Sequence, residues 1–367
     1  MDPETQKKVR ENLAVPLLAV LSGMLVASVF ILMTGTGPIP AYAKLFQAAF
    51  SCESSTRCNL FVTLQLATPL ILTGMSAVVA FRSGMFSLGQ MGQLMLGGMV
   101  AAWLGYAIHL PPVIHPLVAM IAAMLVGAAY GWLPGILKVK LGVNELVCTI
   151  VLNNIAALYV RYLINFPLRA DQSTTAHSRP IDETARLLVF SPGSKLGTGF
   201  IIAILVVIFI HYYMSRSARG YEQRIAGEAS LFARFGGIHS DRAAVRGMLI
   251  SGALSGLAGA LLSLGVYYRM LDGFEGGVGF DGVTAAILGG TNPIATLLVA
   301  IFFAGVRQGA QVGLQFAFRI PRELGGGIIA LMILFVAADK LFKDRLEGLS
   351  RWWGNRRLRR TNTGKSL

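Results

Sequence analysis

The chain has 367 residues, of which 54% are hydrophobic and 14% charged, and it carries a formal net charge of +14. Soluble globular chains carry about 25% charged residues, so this composition excludes a water-soluble fold and implies a polytopic helical membrane protein. The positive charge is not a nucleic-acid footprint, because the cations sit at the ends of apolar segments, where the positive-inside rule puts them.

Residues 1–12 are polar and rich in Lys and Arg. The apolar run from Leu13 is long enough to stay as a span and lacks an A-x-A-like end, so no cleavable signal is expected. About ten membrane segments follow, near 14–33, 60–81, 86–108, 113–137, 145–166, 199–214, 243–267, 280–288, 293–318 and 324–342. The stretch 280–288 is too brief for a regular span and reads as a half-helix or broken helix. The expected fold is therefore an all-α polytopic membrane protein, with a single membrane domain over 13–343 and a basic tail over 344–367.

Charge orients the spans. Lys7, Lys8 and Arg10, then Arg82, then Lys138 and Lys140, then the loop 215–247, then the tail with Arg356, Arg357, Arg359 and Arg360 all fall on one side of ten crossings. Both termini are thus expected to be cytoplasmic. The tail arginines read as topology signals or as contacts to anionic membrane lipid. Cys52 and Cys58 flank a short polar loop on the other side, where a disulfide between them fits. Cys148 lies in an apolar helix and reads as a small packing residue.

Polar and glycine-rich interruptions mark candidate pathway positions. In FRSGMFSLGQMGQLMLGG (81–98), the glycines permit a break, and Phe86, Gln90 and Gln93 offer an aromatic ring and amides to a solute. Backbone freed by a break must face protein or a wet cavity. The same glutamines also fit interhelical packing. In GVNELVCTIVLNN (142–154), Asn144 fits an N-cap and Glu145 the first helical turn. Asn153 and Asn154 cannot share a helix face, so at least one turns to another helix or to the pathway. Phe280 and Asp281 open the short stretch 280–288. A carboxylate near hydrocarbon is a functional candidate, with half-helix capping as its structural alternative. Asn292 lies in the turn that follows. Gln308, Gln311 and Gln315 fall at i, i+3 and i+7 and predict one polar stripe on the ninth span.

The hydrophilic loop 215–247 is the other outlier. Its interior, 221–235, predicts a cytoplasmic helix with Ile225, Ala229 and Phe232 on an apolar side and Arg224, Glu228 and Arg234 on a charged side. Such a helix suits docking to a soluble partner or to the membrane surface. No catalytic or metal-binding constellation is found. The five histidines are dispersed, and no G-x-x-x-x-G-K-[ST] loop is present. The chain is therefore not expected to be an enzyme or to hold a cofactor or metal. Energy for transport must come from an ion gradient, as in a secondary carrier, or from another chain.

Four motifs, in order, resemble a known family: LTGMSAVVAFRSGMFSLGQMGQ, NELVCTIVLNNIA, GYEQRIAGEASLFARFGGI and GFDGVTAAILGGTNPIATLLVAIFFAG. They are similar to the permease subunits of bacterial ABC importers of the simple-sugar and nucleoside group, which work with a basic-membrane-lipoprotein-type binding protein. The resemblance covers roughly 60–337. It implies a multi-pass subunit of the bacterial or archaeal plasma membrane. Its partners would be an ABC ATPase subunit, a second permease chain, alike or different, and an extracytoplasmic solute-binding protein. It also implies a coupling helix carrying Tyr221, Arg224, Gly227, Glu228 and Arg234. This chain departs from the family pattern at Met91, where Glu is common, and at Ser87, where Asn is common.

Overall fold

The computed structural model describes residues 25–26, 28–29, 31–32, 35, 37–54, 57–170, 175–191 and 193–314. The tenth predicted segment, Gln315, the basic tail and most of the first segment lie outside the described residues. The chain divides into two compact units, Met1–Leu45 with Gly309–Leu367, and Phe46–Gln308. In the first, a hydroxyl pair joins Ser28 to Tyr42 at 3.2 Å, and the backbone of Gly309 lies against Leu45.

Helix α1 is Pro38–Phe50, an element that the sequence did not predict. It leads into a two-stranded antiparallel hairpin, β1 Cys52–Ser54 and β2 Arg57–Cys58. The ladder pairs Cys52 with Cys58 and brings their sulfur atoms into bonding contact. Then come α2 Asn59–Arg82, α3 Gln90–Ala107, α4 Ile114–Leu141 and α5 Glu145–Asn165. A second small hairpin, β3 Val189–Ser191 and β4 Leu196–Gly197, precedes α6 Thr198–Arg216. The hydrophilic loop folds as α7 Ala218–Glu228 and α8 Ser230–Phe235. The bundle closes with α9 Ser240–Leu262, a π turn Ser263–Tyr267, α10 Val278–Leu288 and α11 Pro293–Gln308.

Among the described residues, six helical stretches are long and apolar enough to cross a membrane: α2, α4, α5, α6, α9 with its π turn, and Pro293–Gly313. Helix α3 is shorter and starts at Gln90 rather than near Phe86, because residues 84–89 are not helical. Of the predicted glutamine stripe, Gln308 and Gln311 are described and Gln315 is not. Residues Gly309–Leu314 form a π turn.

Helices α2 and α9 form the core, with most of their apolar windows buried, whereas α4, α5 and α6 are largely exposed. Helix α9 packs against α2, α3 and α4. Small residues permit that closeness, as expected where lipid gives no hydrophobic drive for helix pairing. A Cβ on Gly97 of α3 would lie 2.5 Å from the Gly256 Cα, and one on Gly127 of α4 would lie 2.9 Å from it. Across the α2–α9 contact, Ser76 Oγ donates to the Ser251 carbonyl at 2.8 Å, and Ser255 Oγ donates to Ser76 Oγ at 2.8 Å.

Two regions outside the long helices cover opposite ends of α9. At its C-terminal end, Ser178 N–H donates to Met270 O, Ile181 N–H to Tyr268 O and Leu187 N–H to Leu264 O. At its N-terminal end, α7 and α8 pack against it. Because Gly256 touches two neighbours at once, Gly256→Leu is expected to cost about 1–3 kcal/mol or more through overpacking. A dye-based thermal unfolding assay in detergent should show a lowered Tm for this variant and little change for Leu205→Ala on the exposed face of α6.

Candidate functional site: a broken helix and its clamp

The site grows from the way α2 ends. Gly84 takes φ +75°. Met85 N–H donates to Ala80 O and Gly84 N–H to Phe81 O, both at 3.0 Å. This is a Schellman arrangement with glycine in the left-handed position, and it stops the helix. Met85 then packs into a buried cluster with Ala80 and Met248. Residues 84–89 run on without helical hydrogen bonds until α3 begins at Gln90.

The polar backbone groups of that break need partners, since hydrocarbon offers none. Helix α5 supplies them from one face. Glu145, Thr149 and Asn153 stand four residues apart, so they form a single row along the helix. The Glu145 carboxylate feels the Phe86 backbone N–H electrostatically. Leu88 N–H donates to Thr149 Oγ1 at 3.2 Å. Asn153 Nδ2 donates to Leu88 O at 2.8 Å, and Asn153 Oδ1 accepts from Gly92 N–H at 2.8 Å. Lys138, in the last turn of α4, pairs with Glu145 and also donates to Gly84 O at 3.4 Å. Asn144 caps α5, accepting from Leu146 N–H at 2.9 Å and from Val147 N–H at 3.4 Å.

Helix α7 meets the same break from the hydrophilic side. A Cβ on Gly84 would lie 3.0 Å from the Gly227 Cα, and one on Gly227 would lie 2.6 Å from Gly84 N and collide with the Arg82 carbonyl. Only glycine at both positions lets the two backbones touch. Arg82 lies in the electrostatic field of Arg224 and Glu228 from α7. Arg246 Nη2 donates to Glu222 at 2.8 Å, which ties α7 to α9.

The single helix predicted over 221–235 is corrected. Ala229, at φ −148° and ψ 78°, breaks it into α7 and α8. Its predicted faces separate accordingly. Ile225 packs with the buried alanines Ala226, Ala233 and Ala243, whereas Phe232 is exposed. Arg234 reaches Asp241 at 3.4 Å. Leu231, Phe232 and Phe235 form an exposed apolar group on α8, with Tyr221 also exposed on α7.

The remaining candidates spread over three places. Gln90 and Gln93 are buried at the start of α3. Both amide atoms of Gln90, and Oε1 of Gln93, have no hydrogen-bond partner among the described residues. Phe86 is half-exposed and stacks on Phe81 at 4.4 Å. Short α10 lies close by, with Gly279 against the backbone of Met91. Its Asp281 accepts from Arg307 Nη1 at 3.1 Å, while Arg307 Nη2 donates to Gly276 O at 2.5 Å. Phe280 is exposed on the same turn. Asn292 is at the far end of α10, where it caps α11 through Ile294 N–H at 3.0 Å. Asn144 and Asn292 thus spend their oxygens on helix ends and do not join the Gln90–Asp281 group. Ser87 is buried, and its hydroxyl accepts from Gly89 N–H at 3.1 Å. In the loop leading to α10, burial pushes the Glu275 carboxyl above the ordinary carboxylate range, and nearby Asp272 adds to it.

The sequence reading did not single out Thr149, Lys138 or the pairing of Arg307 with Asp281. Thr149 could have been found from the spacing of polar residues down one face of α5, whereas Lys138 lies on α4 and read only as a topology signal. The third could not, because 26 residues separate the partners.

Comparison with known proteins places this architecture. The model of the family described as branched-chain amino acid transport system / permease component matches residues 59–337. The chain belongs to that permease family. It is 33% identical to the guanosine ABC transporter permease protein NupP of Bacillus subtilis, over 89% of this chain and 94% of the relative. It is 30% identical to the nucleoside ABC transporter permease protein NupB of Lactococcus lactis, over 90% and 92%. It is 27% identical to the glucose ABC transporter permease protein TsgB13 of Haloferax volcanii, over 91% and 90%. No solved structure matches the chain. As a permease with several apolar spans, it is a multi-pass membrane protein.

Asn153 makes two bonds across the α3–α5 contact, one to Leu88 O in the break and one to Gly92 N–H in the first turn of α3. Asn153→Leu orphans Leu88 O and Gly92 N–H, at about 1–3 kcal/mol for each group. Thermal unfolding of the purified permease should show a clearly lower Tm for Asn153→Leu. Asn154→Leu should leave the isolated subunit near wild type, since the Asn154 amide bonds only the Ile150 carbonyl of its own helix.

Proposed function

We propose that the chain is the transmembrane subunit of an ATP-driven importer, which moves a nucleoside across the membrane by alternating access. The observation that carries the mechanism is the backbone contact between Gly227 of α7 and Gly84 in the broken helix. The nucleoside assignment draws on the relatives named for guanosine and nucleosides. A simple sugar is the second reading, favoured by the relative named for glucose. Neutral amides at Gln90 and Gln93 suit an uncharged, hydrogen-bonding solute.

ATP is bound and hydrolysed by a partner ATPase, because the chain has no phosphate-binding loop of its own. The exposed Leu231, Phe232 and Phe235 of α8, with Tyr221 of α7, are the surface that docks in the ATPase. When the ATPase pair closes, α7 moves with it. Gly227 then bears directly on Arg82–Gly84. The row Glu145, Thr149 and Asn153 holds the other side of residues 84–92, so the displacement reaches the start of α3 and the glutamines there. A second permease chain completes the passage, and an extracytoplasmic binding protein delivers solute to the end bearing the loop 166–197. The Cys52–Cys58 hairpin is oxidised on that side.

Reconstitution in proteoliposomes with the cognate ATPase, second permease and binding protein tests the assignment. Labelled nucleosides should be taken up with ATP inside the ATPase-facing compartment, and sugars should not compete. Uptake should vanish when the phosphate-loop lysine of the ATPase is replaced. Uptake by this chain alone, driven by an ion gradient, would overturn the importer reading in favour of a secondary carrier. Titration calorimetry of the binding protein against both solute classes decides between nucleoside and sugar.

Gly227→Val is expected to separate the two ends of the machine. Solute-stimulated ATPase activity should fall by about tenfold, the effect of ~1.4 kcal/mol lost from coupling. Basal ATPase activity and subunit co-purification should stay near wild type. Stimulation as strong as wild type would exclude Gly227 from the coupling route.

A further inference from the structure

Among the described residues, two glutamines are fully buried with neither amide atom bonded, Gln90 and Gln223. Gln90 lies at the start of α3, with the candidate pathway residues. Gln223 lies on α7, and neither the clamp nor the pathway uses it. A buried amide without partners has given up its hydration with nothing in return, which is one form of stored strain.

The position of Gln223 is specific. It stands four residues before Gly227, so it shares the face of α7 that presses on the end of α2. Opposite it, Gly247 of α9 leaves a notch. A Cβ there would collide with the Ser83 hydroxyl and lie 3.6 Å from Gln223 Nε2. Ser83, the C-cap of α2, is buried and enters the notch from the other side. Its hydroxyl donates to Val79 O at 2.7 Å, and no donor reaches its oxygen among the described residues. An amide donor without an acceptor and a hydroxyl oxygen without a donor thus face the same glycine. Next to Gln223, Arg224 Nε is also buried without a partner, whereas Glu222 is held by Arg246 at 2.8 Å. The junction of α7 with α2 therefore combines close backbone contact with unused hydrogen-bonding capacity.

We propose that Gln223 and Ser83 are the two halves of a latch across Gly247. The latch is open in this conformation. It closes, with Gln223 Nε2–H donating to Ser83 Oγ, when α7 is driven against the broken helix. The inference rests on the importer reading, in which the ATPase moves α7. Gln223 is then a positioning residue. It touches no solute, but its bond favours the driven state over the resting one and shifts the equilibrium between them. One average hydrogen bond shifts it about fivefold. Glycine at 247 keeps the space between the two side chains open.

The test uses the full chain in proteoliposomes with the second permease, the ATPase and the binding protein. It compares Gln223→Met, Ser83→Ala and the double variant with wild type. Each single variant should lower solute-stimulated ATPase activity about fivefold, and the double variant should fall no further, because either change removes the same bond. Losses that multiply to about twenty-fivefold in the double variant would overturn the latch. Thermal unfolding of the nucleotide-free permease supplies a readout that lost packing would not give. Gln223→Met should unfold at a Tm equal to or above wild type, since it removes an unbonded amide and keeps the side-chain length. A clearly lower Tm would mean that the amide is already bonded at rest, and the latch would be wrong. Should either variant fail to assemble, a Ser83→Cys, Gln223→Cys pair takes its place. Oxidant should cross-link the pair faster with a non-hydrolysable ATP analogue than without nucleotide, and equal or slower cross-linking would again exclude the latch. A wild-type assembly whose ATPase does not respond to solute would count against the importer reading instead. The Tm comparison, made on the permease alone, still decides in that case whether the amide is unbonded.

Discussion

A helix broken inside a membrane leaves backbone N–H and C=O groups that lipid cannot satisfy. The segment 84–89 is such a break, and much of the architecture around it answers that cost. Thr149 and Asn153 take up the groups at Leu88 and Gly92, and the Glu145 carboxylate sits in the field of the Phe86 N–H. Lys138 neutralises the carboxylate that does part of this work. The turn between α4 and α5, capped by Asn144 and stopped by Gly142 at φ +67°, sets the row at the right height. Loosening any of these strands a polar group in a region of low dielectric, where the penalty is largest.

The break is also where the soluble-looking part of the chain touches the membrane part. Gly84 and Gly227 have no side chains, so α7 presses on backbone rather than on a flexible residue. A contact of that kind transmits displacement with little give, because packed interiors are bistable rather than continuously deformable. Ion pairs from Arg246 to Glu222 and from Arg234 to Asp241 tie α7 and α8 to α9, and α9 is buried in the core. Helices α7 and α8 are thus anchored to the buried α9, while α7 stays in contact with the non-helical segment 84–89.

Helix α10 repeats the logic with different chemistry. It spans only Val278–Leu288, and its first turn carries Asp281. Arg307 from α11 supplies the countercharge and also bonds the Gly276 carbonyl, so one side chain closes two electrostatic debts. Gly279 lies against Met91 at the start of α3, which puts α10 beside the buried, unpartnered Gln90.

The membrane class, the positions of most spans, the short α10, the N-cap at Asn144 and the family were all legible in sequence, because each depends on hydrophobic runs, charge placement or local motifs. Local signals failed where a neighbour decides the outcome. The helix expected over 221–235 breaks at Ala229, since Ile225 and Ala233 must both reach the cluster with Ala243. Asn153 and Asn154 look equivalent in a one-dimensional pattern. Only the placement of α5 against α3 turns the first into a clamp and leaves the second uncovered. Periodicity could say that the two asparagines face apart. Which one meets the break was decided by tertiary packing, because the hydrogen-bond demand that distinguishes them arises about 60 residues away in the chain.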